Sequence, residues 1–349
     1  KLAAGTNSGY MWTSADSGAT WAWSQPTGAA TGETCITSSS DGTKLAAGVY
    51  GGYIYTSTNS GATWTERQPT TGTIRNWYSI TSSSDGTKLA AVVYGGYIYT
   101  STDSGASWTT NSNSSSYLFW QSITSSSDGT KLAAVTYTGG GDYIWTSTDS
   151  GASWTQHTAV GFSGLRYITS SSDGTKLAAV VYGGYIYTST DSGASWTTNS
   201  NSSSYLFWQS ITSSSDGTKL AAVTYTGGGD YIWTSTDSGA SWTQRTAVGF
   251  SGLRSITSSS DGTKLAAVVQ NGYIYTSTDS GASWTTNTNS SGSRNWQSIT
   301  SSSDGTKLAA VVSGGYIYTS TDSGVNWTVR QPIDATTRNW TNITSSSDG

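Results

Sequence analysis

The sequence predicts an all-β protein made of one unit repeated eight times, and three observations carry that reading. The run Asp-Gly-Thr-Lys-Leu-Ala-Ala recurs at Asp41, Asp85, Asp128, Asp173, Asp216, Asp261 and Asp304, a period of 43 to 45 residues. Its eighth copy is split: the chain begins Lys1-Leu2-Ala3-Ala4 and ends Ser345-Ser346-Ser347-Asp348-Gly349, which joined would restore the run but for one Thr. Residues 81–168 and 169–256 differ only at His157/Arg245 and Tyr167/Ser255, the mark of a two-unit duplication. Composition agrees, because 22 Tyr and 17 Trp beside only two Glu favour strands over helices.

Each unit carries four short β signals. Strand a reads Trp120-Gln-Ser-Ile-Thr-Ser, and a Ser-Asp-Gly turn at 127–129 ends it. Strand b is Lys131-Leu-Ala-Ala-Val, a Gly-rich turn follows, and strand c is Tyr143-Ile-Trp-Thr-Ser. A second turn, Asp149-Ser-Gly151, leads to strand d at Trp154. Four strands in roughly 44 residues is the size of a propeller blade; leucine-rich repeats are shorter, and the tetratricopeptide and HEAT types are helical. The prediction is an eight-bladed β-propeller of four-stranded antiparallel blades, one domain over 1–349. Strand a of the last blade, Ile343 to Ser347, is expected to pair with the N-terminal strands, closing the ring without a seam.

Composition narrows function. The net charge is −4, and the eight Lys are spread one per unit, so no cationic patch exists for nucleic acid. No stretch approaches 18 apolar residues, which excludes a membrane-spanning helix. With neither a Met start nor a signal peptide, the chain reads as a mature protein or a fragment. One Cys, Cys35, excludes an internal disulfide framework and a Cys-based zinc site; it stands where other units have Ser79, Ser122, Ser210 and Ser298.

The most regular motif is Ser-x-Asp-x-Gly-x-x-Trp. Its third position is Asp16, Asn59, Asp103, Asp149, Asp191, Asp237, Asp279 and Asp322, and its Trp is 21, 64, 108, 154, 196, 242, 284 and 327. This resembles the Asp-box (BNR) repeat of sialidases, sortilin-type receptors, xyloglucan-degrading hydrolases and photosystem II assembly factors. The resemblance covers the chain and implies a propeller scaffold; those families share no single function. A structural role is expected: the carboxylate accepts backbone N–H groups in the c–d turn, Gly supplies a positive φ, and Trp covers the hairpin. A Ca²⁺ loop would need several acidic ligands, and this turn has one. No metal or cofactor is expected.

Catalysis is not expected either. Of 18 Asp, seven lie in Asp-boxes and eight in the Ser-Asp-Gly turns, leaving Asp142, Asp230, Asp334, Glu33 and Glu66. Glycoside hydrolysis needs a carboxylate pair at fixed separation, and Asp142 and Asp230 stand two units apart. The one His, His157, is Arg245 in its twin, and no Gly-x-Ser-x-Gly elbow is present.

In an up-and-down meander, turns a–b and c–d share one face and loops b–c and d–a share the other. Nearly all variation falls on the second face, the usual layout of a binding surface. Candidate ligand-binding residues there are Tyr117, Phe119 and Asp142, with their duplicates Tyr205, Phe207 and Asp230. Candidate N-glycosylation sites are Asn113, Asn201 and Asn289 in d–a loops, and Asn339 and Asn342. The functional expectation is a secreted, extracellular or cell-surface, non-enzymatic structural or interaction module. Its expected partners are glycans or other extracellular proteins, self-association included. A carbohydrate-binding lectin is the alternative and a glycoside hydrolase the third reading.

Overall fold

A computed structural model describes residues 1–24, 32–69, 72–111, 118–137, 141–157, 164–199, 206–225, 229–250, 252–288, 293–331 and 336–349, and for 246–250 the backbone alone. Among the described residues there are 32 strands and no helix, and every strand pairing is antiparallel. The strands fall into units of four. In the unit read above they run Leu118–Ser125, Leu132–Thr136, Ile144–Ser147 and Thr155–His157, so strand d starts just after Trp154 rather than at it. We number the units from the strand Thr34–Ser38 (unit 1) to Arg338–Ser345 (unit 8), whose b strand is Leu2–Thr6.

The b strand explains how units associate. Lys-Leu-Ala-Ala-Val lacks polar alternation because both faces of this strand are covered. Leu132 and Ala134 point into a cluster with Ala90, Val92 and Ile98 of the preceding unit. Ala133 and Val135 point the other way, into a cluster with Leu165, Ile168, Leu177 and Ala179 of the next. The core is therefore distributed between units rather than gathered at one centre. One such cluster joins Leu2, Ala4 and Trp12 to Ala309, Val311 and Ile317, and so links the two ends of the chain.

Most of the largest buried groups are tryptophans near the start of strand a. Trp77, Trp120, Trp208, Trp296 and Trp340 are at most 2% exposed, and each indole N–H donates to a carbonyl of the preceding unit, as Trp120 does to Gly96 at 3.0 Å. Burying ~200 Å² of ring at ~25 cal/mol/Å² contributes at most about 5 kcal/mol each. The tryptophans that end the Ser-x-Asp-x-Gly-x-x-Trp motif are less buried, most of them only half so, and each indole that donates does so within its own turn, as Trp154 does to Gly151 at 3.1 Å.

Units are also stitched by hydrogen bonds that sequence periodicity does not reveal. The C-terminal end of a b strand pairs with the N-terminal end of the next a strand, for example Gly96 with Leu118 and Tyr94 with Phe119. Among the described residues there are five such junctions. At one end of the axis, Ser40 N–H donates to Ser84 C=O at 2.7 Å, and the pattern steps through Ser127, Ser172, Ser215, Ser260, Ser303 and Ser347. Ser347 N–H in turn donates to Ser40 C=O at 2.7 Å. The N-terminal strand pairs with the C-terminal one, Leu2 opposite Ser345 and Ala4 opposite Ile343.

Candidate functional site

The two faces differ in kind. On the turn face, Asp149 accepts from Ser153 N–H at 2.9 Å and from the Ser147 hydroxyl at 2.8 Å, and Ser147 accepts from Gly151 N–H at 2.8 Å. All eight residues at the third position of the Ser-x-Asp-x-Gly-x-x-Trp motif, Asp16, Asn59, Asp103, Asp149, Asp191, Asp237, Asp279 and Asp322, have such partners within their own turns. The Gly is required twice over: at Gly105 φ is +82°, and a Cβ there would lie 2.6 Å from Thr56 Cγ2 of the preceding unit. The axial cavity at this face, about 300 Å³, is lined by 24 serines, three from each unit, with no charged residue among them. This face is sequence-invariant because its turns dock on neighbouring units.

The opposite mouth of the axis is chemically uneven. A cavity of about 280 Å³ is lined by Tyr78, Arg166, Tyr167, Gln209, Arg254 and Gln297, with Glu33, Tyr50, Cys35, Thr341 and Asn342 on its other side. An adjoining recess of about 330 Å³ adds Tyr94, Gln121 and Tyr137. Each lining residue comes from strand a, the residue just before it, the C-terminal end of strand b or, for Tyr137, the residue just after it, so rigid elements position them. Around the rim Tyr50, Tyr78, Phe119, Tyr137, Tyr167, Tyr182 and Phe207 are 37–44% exposed, a large aromatic area for single residues that could have packed inward. They come from units 1 to 5. Tyr94 and Phe119 lie 4.9 Å apart, Tyr182 and Phe207 4.7 Å, and Tyr78 and Tyr94 5.7 Å. In units 6 and 7 the corresponding pairs are Gln270 with Asn295 and Ser313 with Asn339.

Electrostatics at the mouth centres on Arg166. Its Nε is buried with no hydrogen-bond partner, and its guanidinium lies 5.6 Å from the Tyr182 ring. Burial pushes the Tyr78 phenol up; the neighbouring Tyr167 and Glu33 add to this and Arg166 opposes it. The Cys35 thiol is pushed up to about 12 by burial, and it donates to Gly48 C=O at 3.4 Å. Among the described residues Glu33 is the one carboxylate lining either recess. Among the described residues no group of three or more His, Cys, Asp or Glu could hold a metal ion.

Of the residues singled out from sequence, Phe119 and Phe207 are exposed on the rim, whereas Asp142 and Asp230 are 2% exposed. The Asp142 carboxylate accepts from Gly164 N–H and, at 3.2 Å, from Leu165 N–H; Asp230 does the same for Gly252 and, at 3.3 Å, Leu253. They sit where the longer b–c loop goes with a five-residue b strand, so the carboxylate binds the amides of the next unit in place of strand pairing. Their position is therefore inside the scaffold and not on the rim. Asn339 is exposed on strand a and Asn342 lines the mouth. Tyr117, Tyr205, Asn113, Asn201, Asn289 and Asp334 lie outside the described residues. His157 receives an ordinary structural assignment: its Nε2 is 2.7 Å from Thr146 Oγ1, as Arg245 Nε is 2.9 Å from Thr234 Oγ1 in the twin unit. Sequence reading passed over Arg166, Arg254, Gln209 and Gln297, although their recurrence just before Tyr-Ile-Thr or Ser-Ile-Thr was visible.

No known family profile and no curated protein matches the sequence. Solved structures do. The Dos1 propeller is similar with a TM-score of 0.63 at 12% identity, covering 87% of this chain and 85% of that one. An ancestral GH74 enzyme gives 0.58 at 14%, covering 95% of this chain and 47% of its own. YCF48 bound to D1 peptide gives 0.55 at 18%, covering 75% and 82%. The chain spans 62% of the length of the Niastella koreensis GH74 enzyme, at 18% identity and a TM-score of 0.42. Likeness at these identities speaks to fold alone, and together with the repeating antiparallel four-strand units it makes this chain a β-propeller.

Proposed function

We propose that residues 1–349 form a single eight-bladed Asp-box propeller, closed through its termini, that serves as a non-enzymatic interaction module of an extracellular or cell-surface assembly. Eight four-strand units, the Leu2–Ser345 pairing and the serine series returning from Ser347 to Ser40 support closure. One observation carries the functional reading: exposed aromatic rings and guanidinium groups from at least five units converge on one mouth, while the other face is uniform serine. A scaffold with no ligand gains nothing from leaving that many rings in water. Lectin activity is the second reading, favoured by the paired rings Tyr94–Phe119 and Tyr182–Phe207. A hydrolase would need a second carboxylate at the mouth, and Glu33 stands alone in its lining.

Cross-linking mass spectrometry on the protein in its native assembly tests the proposal. Cross-links to partners should map to the rim loops and be lost in Phe119→Ala/Phe207→Ala. Cross-links confined to the turn face, or hydrolysis of β-glucan or sialoside abolished by Glu33→Gln, would overturn it. The same spectra report glycans on Asn113, Asn201 and Asn289, which an extracellular setting predicts.

A further inference from the structure

Five consecutive innermost strands place Gln121, Arg166, Gln209, Arg254 and Gln297 at the equivalent position, one after another around the mouth. The Gln121 and Gln209 side chains are buried in this lining, the Gln297 amide already donates to Asn295 Oδ1 at 2.9 Å, and the two guanidinium groups offer forked donor pairs. The duplication made the pattern: Gln121–Arg166 and Gln209–Arg254 are copies, and of the two differences between the copies the one at the mouth is Tyr167 against Ser255. No ion pair among the described residues involves Arg166 or Arg254, although Glu33 lines the same cavity, and the Arg166 guanidinium lies over the Tyr182 ring. A half-buried guanidinium held without an anion is costly unless a ligand supplies one.

We propose that this arc is an oxyanion site and that its occupant is an acidic oligosaccharide bearing carboxylate or sulfate groups. The inference rests on reading the mouth as the binding surface and adds the ligand's charge and class. The anionic group would lie between Arg166 and Arg254 over the Gln209 amide, with sugar rings against Tyr50, Tyr78 and Tyr94 in the adjoining recess. A peptide fits less well. In two units the channel-side edge of strand a is already engaged: Ile123 N–H and Ile168 N–H donate to Ser79 Oγ and Ser122 Oγ at 3.3 and 3.4 Å. What the rim offers instead is ring faces and amides, which suit pyranose faces and hydroxyls.

Titration calorimetry with four probes decides it: hexagalacturonate, a heparin hexasaccharide, neutral cellohexaose and hexaglutamate. Either acidic sugar should bind at least about tenfold more tightly than the neutral one or the peptide, as one or two charge-assisted contacts imply, and which acidic sugar wins separates carboxylate from sulfate. Arg166→Gln and Arg254→Gln should each lose about tenfold with melting temperature unchanged. If either variant fails to fold, weakening of wild-type binding with added salt supplies the same readout. Cellohexaose binding equal to hexagalacturonate, indifferent to both Arg substitutions, would overturn the anion site while leaving a binding mouth. Tight hexaglutamate binding with no sugar bound would overturn the carbohydrate assignment. Binding of none of the four would overturn the inference, and the cross-linking map would still report separately on the mouth.

Discussion

Most aspartates in this protein build turns. Asp16, Asp41, Asp85, Asp103, Asp128, Asp173, Asp216, Asp261 and Asp304 are each held at about 2, against an ordinary 3.8, chiefly by hydrogen bonds from Ser and Thr side chains and local N–H groups. A carboxylate whose folded value is depressed contributes stability that is present above its unfolded value and lost as pH falls through the folded one. All nine are solvent-facing, so each contributes little, but they act together. The melting temperature should therefore be level from about pH 7 to about pH 5 and fall steeply between about pH 4 and about pH 2. A scanning calorimetry series checks this, and a melting temperature at pH 2 equal to that at pH 6 would contradict it. Asn59 provides an internal comparison, since its amide makes the same bond to Thr63 N–H at 2.9 Å and carries no charge to titrate.

At the scale of elements, strand b and the loop after it trade roles. Where strand b has eight residues, as in Leu89–Gly96, its end pairs with the next unit. Where the loop is longer and strand b stops after five, Asp142 or Asp230 takes the neighbouring amides. Removing that carboxylate leaves two buried N–H donors unsatisfied. Asp142→Ala should cost about 2–3 kcal/mol, and Asp142→Asn less, because its amide oxygen still accepts. Urea denaturation measures both. Equal stability of the Ala variant and the parent would show that the junction is held by packing alone. The position of these residues was legible in the sequence, since they stand out in two matched loops. Their partners were not, because the amides of 164–165 and 252–253 lie 22 or more residues away along the chain.

For the whole molecule the critical junction is where the ends meet. Leu2, Ala3 and Ala4 oppose Ser345, Thr344 and Ile343, and Ile343 packs with Leu2, Trp12 and Trp340. Ser17 Oγ donates to Gly349 C=O at 2.7 Å, and Lys307 Nζ to Asp348 C=O at 2.7 Å. Deleting 343–349 should uncover an edge of Leu2–Thr6, lower the melting temperature and promote association through that edge. Calorimetry and size-exclusion chromatography read both effects; an intact melting temperature in a monomeric product would mean the termini contribute no closure.

The all-β class, the four-strand unit, its eightfold recurrence and the division into an invariant and a variable face were all legible in the residues alone. Each follows from local chemistry repeated at a fixed period: Gly at the turns, two-sided apolar b strands, and Ser and Asp that satisfy their own turns. Tertiary structure alone decided the composition of the mouth. Tyr50, Arg166 and Arg254 are far apart in the chain and acquire a common surface only because successive a strands surround one axis. It likewise turned Asp142 and Asp230 from loop acids into buried anchors, since which amide a carboxylate reaches depends on how adjacent units pack and not on its neighbours in sequence.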